Sequence, residues 1–182
     1  MDQKSENFLK STMTSGAVLG LALILHSVVL YTFDATLVKG MNFIGWAIIV
    51  AGIVYGTKNF RDNFQNGIIS YGRALGTGTI ITVFAGFIQG FYMYIFVNYI
   101  DIEYFDRLIE QTVILYQEGG LTDEQIEASL EMSEIMRTPV ALALSTIFVS
   151  AFLGFIISLL TSIFLKKEGD GFEQAMNQIK EN

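Results

Sequence analysis

The stretch K-N-F-R-D-N-F-Q-N-G-I-I-S-Y-G-R-A-L-G-T-G, Lys58–Gly78, lies between two long apolar runs and carries three of the eleven basic residues, Lys58, Arg61 and Arg73. Asn66-Gly67 within it is a turn signal. Charge between apolar runs reads as a loop joining two membrane-spanning helices. Outward from this loop, four windows contain no Asp, Glu, Lys or Arg: Ser11–Phe33, Gly40–Thr57, Ala74–Ile100 and Thr138–Leu165. Each approaches or exceeds the roughly 20 residues that a helix needs to cross a bilayer. A soluble four-helix core would need polar faces, and these runs have almost none. The chain is 52% hydrophobic and 16% charged, with mean hydropathy +0.47. These values fit an all-α integral membrane protein, a single membrane domain over residues 1–182. Its spans are expected near 14–33, 42–57, 74–99 and 139–165, packed as a four-helix bundle.

The first span follows a polar start containing Lys4 and Lys10, with Phe8 and Leu9 at the interface. No small-x-small cleavage site follows its apolar run, so it reads as a retained span and not a signal peptide. The polar segment 101–137 holds Tyr104, Phe105, Leu108, Ile109, Leu115 and Tyr116 at helical spacing. Gly119-Gly120 stops that helix, and Thr122 with Gln125 three residues later starts another as a capping box. A helical hairpin is expected there. Thr138-Pro139 supplies an N-cap and first helical position for the fourth span. In the tail, residues 166–182, Phe172, Met176 and Ile179 suggest a short interfacial helix.

Four spans put both termini on one side. That side and the Lys58–Gly78 loop hold Lys4, Lys10, Lys58, Arg61, Arg73, Lys166, Lys167 and Lys180; the other holds Lys39, Arg107 and Arg137. Basic residues favour the cytoplasm, so the termini are expected there and the hairpin outside. The hairpin has ten acids against two arginines. This charge reads as a solvated surface that keeps the hairpin soluble; the alternative is a field that attracts cations or a basic partner.

Lipid gives no hydrophobic drive for helix association, so small residues that allow close approach matter. At four-residue spacing stand Gly16 and Gly20, Gly52 and Gly56, Gly72 and Gly76, Gly86 and Gly90, and the stripe Ser150, Gly154, Ser158 and Ser162. All are expected at helix contacts, within one chain or in a homo-oligomer.

Few residues suit chemistry. There is no cysteine and one histidine, His26, which lies inside the first span, roughly 18 Å along the helix from Thr14. Gln89 on the third span sits at a similar depth, and an interhelical His26–Gln89 contact is the expectation. Ion-coupled transport usually uses intramembrane carboxylates, and the spans have none. A metal hydrolase needs several His, Asp or Glu ligands. Ser27 beside His26 faces about 100° away on a helix and makes a poor dyad. G-R-A-L-G-T-G lacks the G-K-S or G-K-T ending of a phosphate loop. The basic residues on the terminal side are balanced by seven acids, which speaks against nucleic-acid binding. No catalytic residue, metal or cofactor is expected. Lys58, Arg61, Tyr71 and Arg73 cluster at the mouth of the third span. They read as topological anchors, or as a site for an anionic headgroup such as a polyprenyl phosphate.

The segments G-T-K-N-F-R-D at Gly56–Asp62 and G-I-I-S-Y-G-R-A-L-G-T-G at Gly67–Gly78 resemble a known family, as do L-T-D-E-Q-I-E-A-S-L-E-M-S at Leu121–Ser133 and F-L-G-F-I-I-S-L-L-T-S-I-F-L-K-K at Phe152–Lys167. The family is DUF4199, small four-span membrane proteins of Bacteroidetes classed as a domain of unknown function. The resemblance implies a bacterial inner-membrane protein and no activity. The sequence therefore reads as a non-enzymatic accessory protein of the cell envelope that binds the bilayer, an anionic lipid or another membrane protein. A small oligomeric transporter or channel is the alternative.

Overall fold

The computed structural model describes residues 3–33, 35, 40–133 and 137–167. Among the described residues six α-helices follow one another: α1 (Gln3–Thr32), α2 (Met41–Phe64), α3 (Tyr71–Ile95), α4 (Tyr104–Glu118), α5 (Asp123–Ser133) and α6 (Pro139–Leu165), with a π-helical turn, Phe96–Ile100, extending α3. Four stretches are long and apolar enough to cross a membrane: Glu6–Thr32, Phe43–Phe64, Tyr71–Ile100 and Pro139–Leu165. No strand occurs among the described residues; there is one isolated antiparallel bridge, Ile69 to Lys167.

The helices start and stop where local chemistry dictates. Ser70 caps α3 by accepting from the Arg73 N–H, and Thr138 caps α6 by accepting from the Ala141 N–H, with Pro139 at the first position. Thr122 and Gln125 exchange both bonds of a capping box before α5. Asn66 and Gly67 take φ values of 52° and 77° in the turn after α2, a left-handed region that asparagine and glycine tolerate best.

Three helices extend beyond the expected spans. α1 begins at Gln3, ahead of the expected span at 14–33, and Thr12 and Thr14 donate to carbonyls of the preceding turn. α2 runs to Phe64 and not Thr57, so Lys58, Arg61 and Asp62 are helical. Phe60 and Phe64, one turn apart, stack there at 6.0 Å, and Phe60 meets Phe8 of α1 edge-on at 5.1 Å. α3 opens at Tyr71, which puts Arg73 in its first turn. The expected interfacial helix of the tail lies outside the described residues, as does Lys39.

α3 is the central element and lies against α1, α2 and α6; its most extensive neighbour is α6. Small residues set these contacts. A Cβ on Gly16 would lie 2.6 Å from Phe84 Cβ, and one on Gly20 would lie 3.0 Å from Ile88 Cβ, so α1 meets α3 backbone to backbone. A Cβ on Gly52 would meet Leu19 at 2.6 Å, and one on Gly56 would meet Ser15 Cβ at 2.9 Å. Gly86 faces Ser150, Gly90 faces the Ala143 carbonyl, and Gly154 has no room for a Cβ beside Thr82. Ser158 and Ser162 are buried on the same face of α6.

Gly72 and Gly76 make no helix contact within the chain. Nothing lies within 4 Å of a Cβ at either position. The packing stripe of α3 is Gly78, Thr82, Gly86 and Gly90, and Gly78 faces Ser158. Position 78 is two residues past 76, about 200° around the helix, so the stripe runs down the opposite side. Around it, Leu19, Ile81 and Ala85 form a small buried cluster with Leu23 and Ile48 against it. Phe87, Phe91, Phe148, Phe152 and Phe164 are exposed, an apolar outer surface suited to hydrocarbon.

Candidate functional site

At one end of the spans, termed the basic end, the chain is tied shut. Ile69 and Lys167 exchange two backbone hydrogen bonds of 2.9 Å, which fastens the α2–α3 turn to the residues after α6. Arg61 donates from Nη1 to the Leu165 carbonyl at 3.4 Å and pairs through Nε with Asp62 at 2.7 Å. Tyr71 donates to the Leu159 carbonyl at 3.2 Å. The Arg73 guanidinium lies 4.3 Å from the Phe8 ring centroid and 5.5 Å from that of Phe60. Phe60, Ile69 and Ala74 are buried beneath it. Of the four residues read as a headgroup cluster, Arg61 and Tyr71 thus reach toward α6, Arg73 covers the rings of Phe8 and Phe60, and Lys58 is exposed. Each of the first three has a partner within the chain.

Midway along the spans is a cavity of about 490 Å³ to which all four long helices contribute. Leu19 and Leu23 come from α1, Gly45, Trp46 and Ile49 from α2, Thr82, Ala85 and Gln89 from α3, and Ser145, Thr146, Ser150 and Leu153 from α6. Trp46 is 44% exposed and the lining residue Val149 53%, so the cavity opens sideways, between α2 and α6, onto the outer apolar surface. Ser145 and Thr146 both donate to the Leu142 carbonyl, which turns their polarity inward along α6 and leaves a mostly apolar wall. Gln89 is the one wall residue with a full amide. His26 reaches α2: a Cβ on Gly45 would lie 3.4 Å from its Nε2. No hydrogen bond joins His26 to Gln89 among the described residues.

At the opposite, acidic end a second cavity of about 710 Å³ is lined by Ser27, Leu30, Tyr31 and Thr32 of α1, Met93 and Phe96 near the end of α3, Asp101, and Tyr104, Arg107, Leu108 and Gln111 of α4. The Asp101 side chain is 4% exposed and pairs with the Arg107 guanidinium, itself 45% exposed. Arg107 also reaches Glu103 at 3.7 Å. Tyr31 meets Phe96 edge-on at 4.9 Å, and Phe96 meets Tyr104 edge-on at 6.1 Å. The hydrogen bond to Asp101 raises the pKa of Arg107 above its already high ordinary value. Burial pushes the Tyr104 phenol up, and the Asp101 charge adds to that. Among the described residues no group of three His, Asp or Glu stands close enough to hold a metal ion.

The profile of a family described as protein of unknown function (DUF4199) matches residues 14–167, which span all four long helices, the bridge at Lys167 and both cavities. The chain belongs to the DUF4199 family. No curated protein and no solved structure matches it. The four long apolar helices of this DUF4199 chain mark it as a multi-pass membrane protein.

Several residues of the DUF4199 chain escaped the sequence reading. Asp101 stands just past an apolar window and was read only as part of an acidic segment, yet it is the buried carboxylate. Tyr104 enters the sequence reading by helical spacing alone, and Tyr31 has no part in it. The available signal was the run of polar and aromatic residues at span ends, Tyr31, Tyr92, Phe96, Asp101, Tyr104 and Arg107. That signal is weak because aromatics gather at any interface.

Proposed function

We propose that this DUF4199 protein is a non-enzymatic accessory protein of the bacterial inner membrane that binds lipid within a tight four-helix bundle, its termini in the cytoplasm and its acidic hairpin outside. The observation that carries the reading is the cavity around Gln89. It is bordered by four helices, walled mostly by apolar and small residues, and open toward the surface that faces hydrocarbon. A volume of about 490 Å³ is within the range of ligand-binding cavities, and an acyl or isoprenyl chain matches its wall chemistry. The spans carry no charge in their interior, and Gln89 and His26 do not form a polar path. This favours lipid binding over the alternative, a small oligomeric transporter or channel. The excess of basic residues at the basic end supports the orientation.

The test is purification from native membranes in polymer discs, with proteins and lipids identified by mass spectrometry. Ser145→Phe, which fills the cavity, is run in parallel. Lipid retained in stoichiometric amount by the wild type and lost from Ser145→Phe is the expected result. Bulk lipid alone, identical in both, would overturn the reading, and solute flux through reconstituted protein would then support the transporter.

A further inference from the structure

The two cavities follow one another along the same faces of α1 and α3. On α1, Leu19 and Leu23 line the first and Ser27, Leu30 and Tyr31 the second; on α3, Ala85 and Gln89 line the first and Met93 and Phe96 the second. These positions recur every three or four residues, so each set occupies one helical face. From Gln89 to Phe96 the axial distance is roughly 10 Å. The second cavity lies where the third span ends, at Ile100, the level at which a headgroup meets the acyl region. Its chemistry differs from that of the first: a buried carboxylate, a half-exposed guanidinium and three aromatic rings.

We propose that the cavity at the acidic end holds a zwitterionic headgroup that carries a primary ammonium and a phosphate, that of an aminophospholipid, with an acyl chain in the cavity around Gln89. Asp101 is the buried anion, and Tyr31, Phe96 and Tyr104 line the same cavity, Tyr31 and Tyr104 each meeting Phe96 edge-on. A carboxylate beside aromatic faces attracts an ammonium group. Arg107 hydrogen-bonds Asp101 and lies 3.7 Å from Glu103, and a guanidinium has five N–H donors in all. The remainder suits a phosphate. A purely anionic headgroup would compete with Asp101 for Arg107 and bring no cation to the carboxylate, and a simple cation would meet Arg107. A headgroup with both charges matches both residues. This inference rests on the lipid-binding reading above and specifies the headgroup.

The experiment is native mass spectrometry of the full chain in detergent, offered equal amounts of phosphatidylethanolamine and phosphatidylglycerol with identical acyl chains. The wild type is expected to retain the ethanolamine lipid in roughly tenfold excess. Asp101→Asn, and Tyr104→Leu, which leaves the ion pair intact, are expected to bring that ratio close to one while total bound lipid persists. If wild type binds lipid but shows no preference, or prefers the glycerol lipid, the headgroup assignment is overturned and the lipid-binding reading stands. If wild type binds neither lipid, both are overturned. Should neither variant fold, the wild-type ratio decides alone.

Discussion

The two ends of the spans are built from similar residues and do opposite things. Each has an arginine, a carboxylate and a group of aromatic rings. At the basic end Arg73 lies flat over Phe8 and Phe60, Arg61 satisfies the Leu165 carbonyl, and the Ile69–Lys167 bridge joins the segments. Arg73 covers the rings of Phe8 and Phe60, and Phe60 is fully buried. At the acidic end Tyr31, Phe96 and Tyr104 meet only edge-on, and Asp101 and Arg107 border a cavity of about 710 Å³. The difference arises in the backbone. The α2–α3 turn is short and fastened to α6, whereas α3 widens into a π-helical turn at Phe96–Ile100 before α4 departs. Such turns frequently mark functional sites. One end therefore holds the helices together, and the other leaves room for a molecule.

The comparison breaks most readily at Phe60, the largest fully buried side chain of the basic end. Phe60→Ala is expected to cost roughly 3 kcal/mol in reversible unfolding in detergent, and to leave the headgroup preference of the surviving folded protein unchanged. A small loss of stability would show that the basic end is not the clasp. The next effect concerns α3 against α6. Gly154→Val inserts a branched side chain where Thr82 already sits and is expected to destabilise by about 2 kcal/mol. Gly72→Ala is its control: with open space around it, alanine is expected to raise stability by roughly 0.5–1 kcal/mol through helix propensity. Equal destabilisation by both would remove the distinction between the two glycine stripes.

The smallest effect is at Tyr104. Burial raises its folded pKa, so the fold favours the neutral phenol. Its contribution to stability is fully present below the ordinary tyrosine value of about 10 and fades as pH rises through the raised folded value. The phenolate absorbance of wild type minus Tyr104→Phe is expected to titrate above the ordinary value. Titration at or below it would mean that Tyr104 is not held in the cavity wall.

Much of the fold was legible in the sequence. Charge-free windows located the long helices, since a helix in hydrocarbon must be apolar all round, and Thr122, Thr138 and Asn66-Gly67 gave local starts and stops through their own hydrogen bonds and backbone freedom. Helix ends were not legible where a polar turn continues a span: Lys58 and Arg61 look like loop by charge, but Phe60 and Phe64 give that turn a buried face. Four-residue spacing identified Gly16, Gly20, Gly86 and Gly90 at close contacts, while Gly72 and Gly76 have the same spacing on the side away from α6. Spacing alone does not say which way a stripe points, because lipid-facing and helix-facing sides are both apolar. The cavities were the least legible feature. They depend on what several helices fail to fill, and only the assembled helices display that.

The central claim is that the space around Gln89 accommodates a lipid chain. Trp46, the only tryptophan of the chain, lines that space, so its fluorescence reports occupancy directly. Purified protein in a detergent that provides no bilayer is titrated with a phospholipid brominated in its acyl chains. Saturable quenching at one lipid per protein, abolished in Ser145→Phe, is the predicted result. Quenching that rises without saturation, or is the same in Ser145→Phe, would contradict the account.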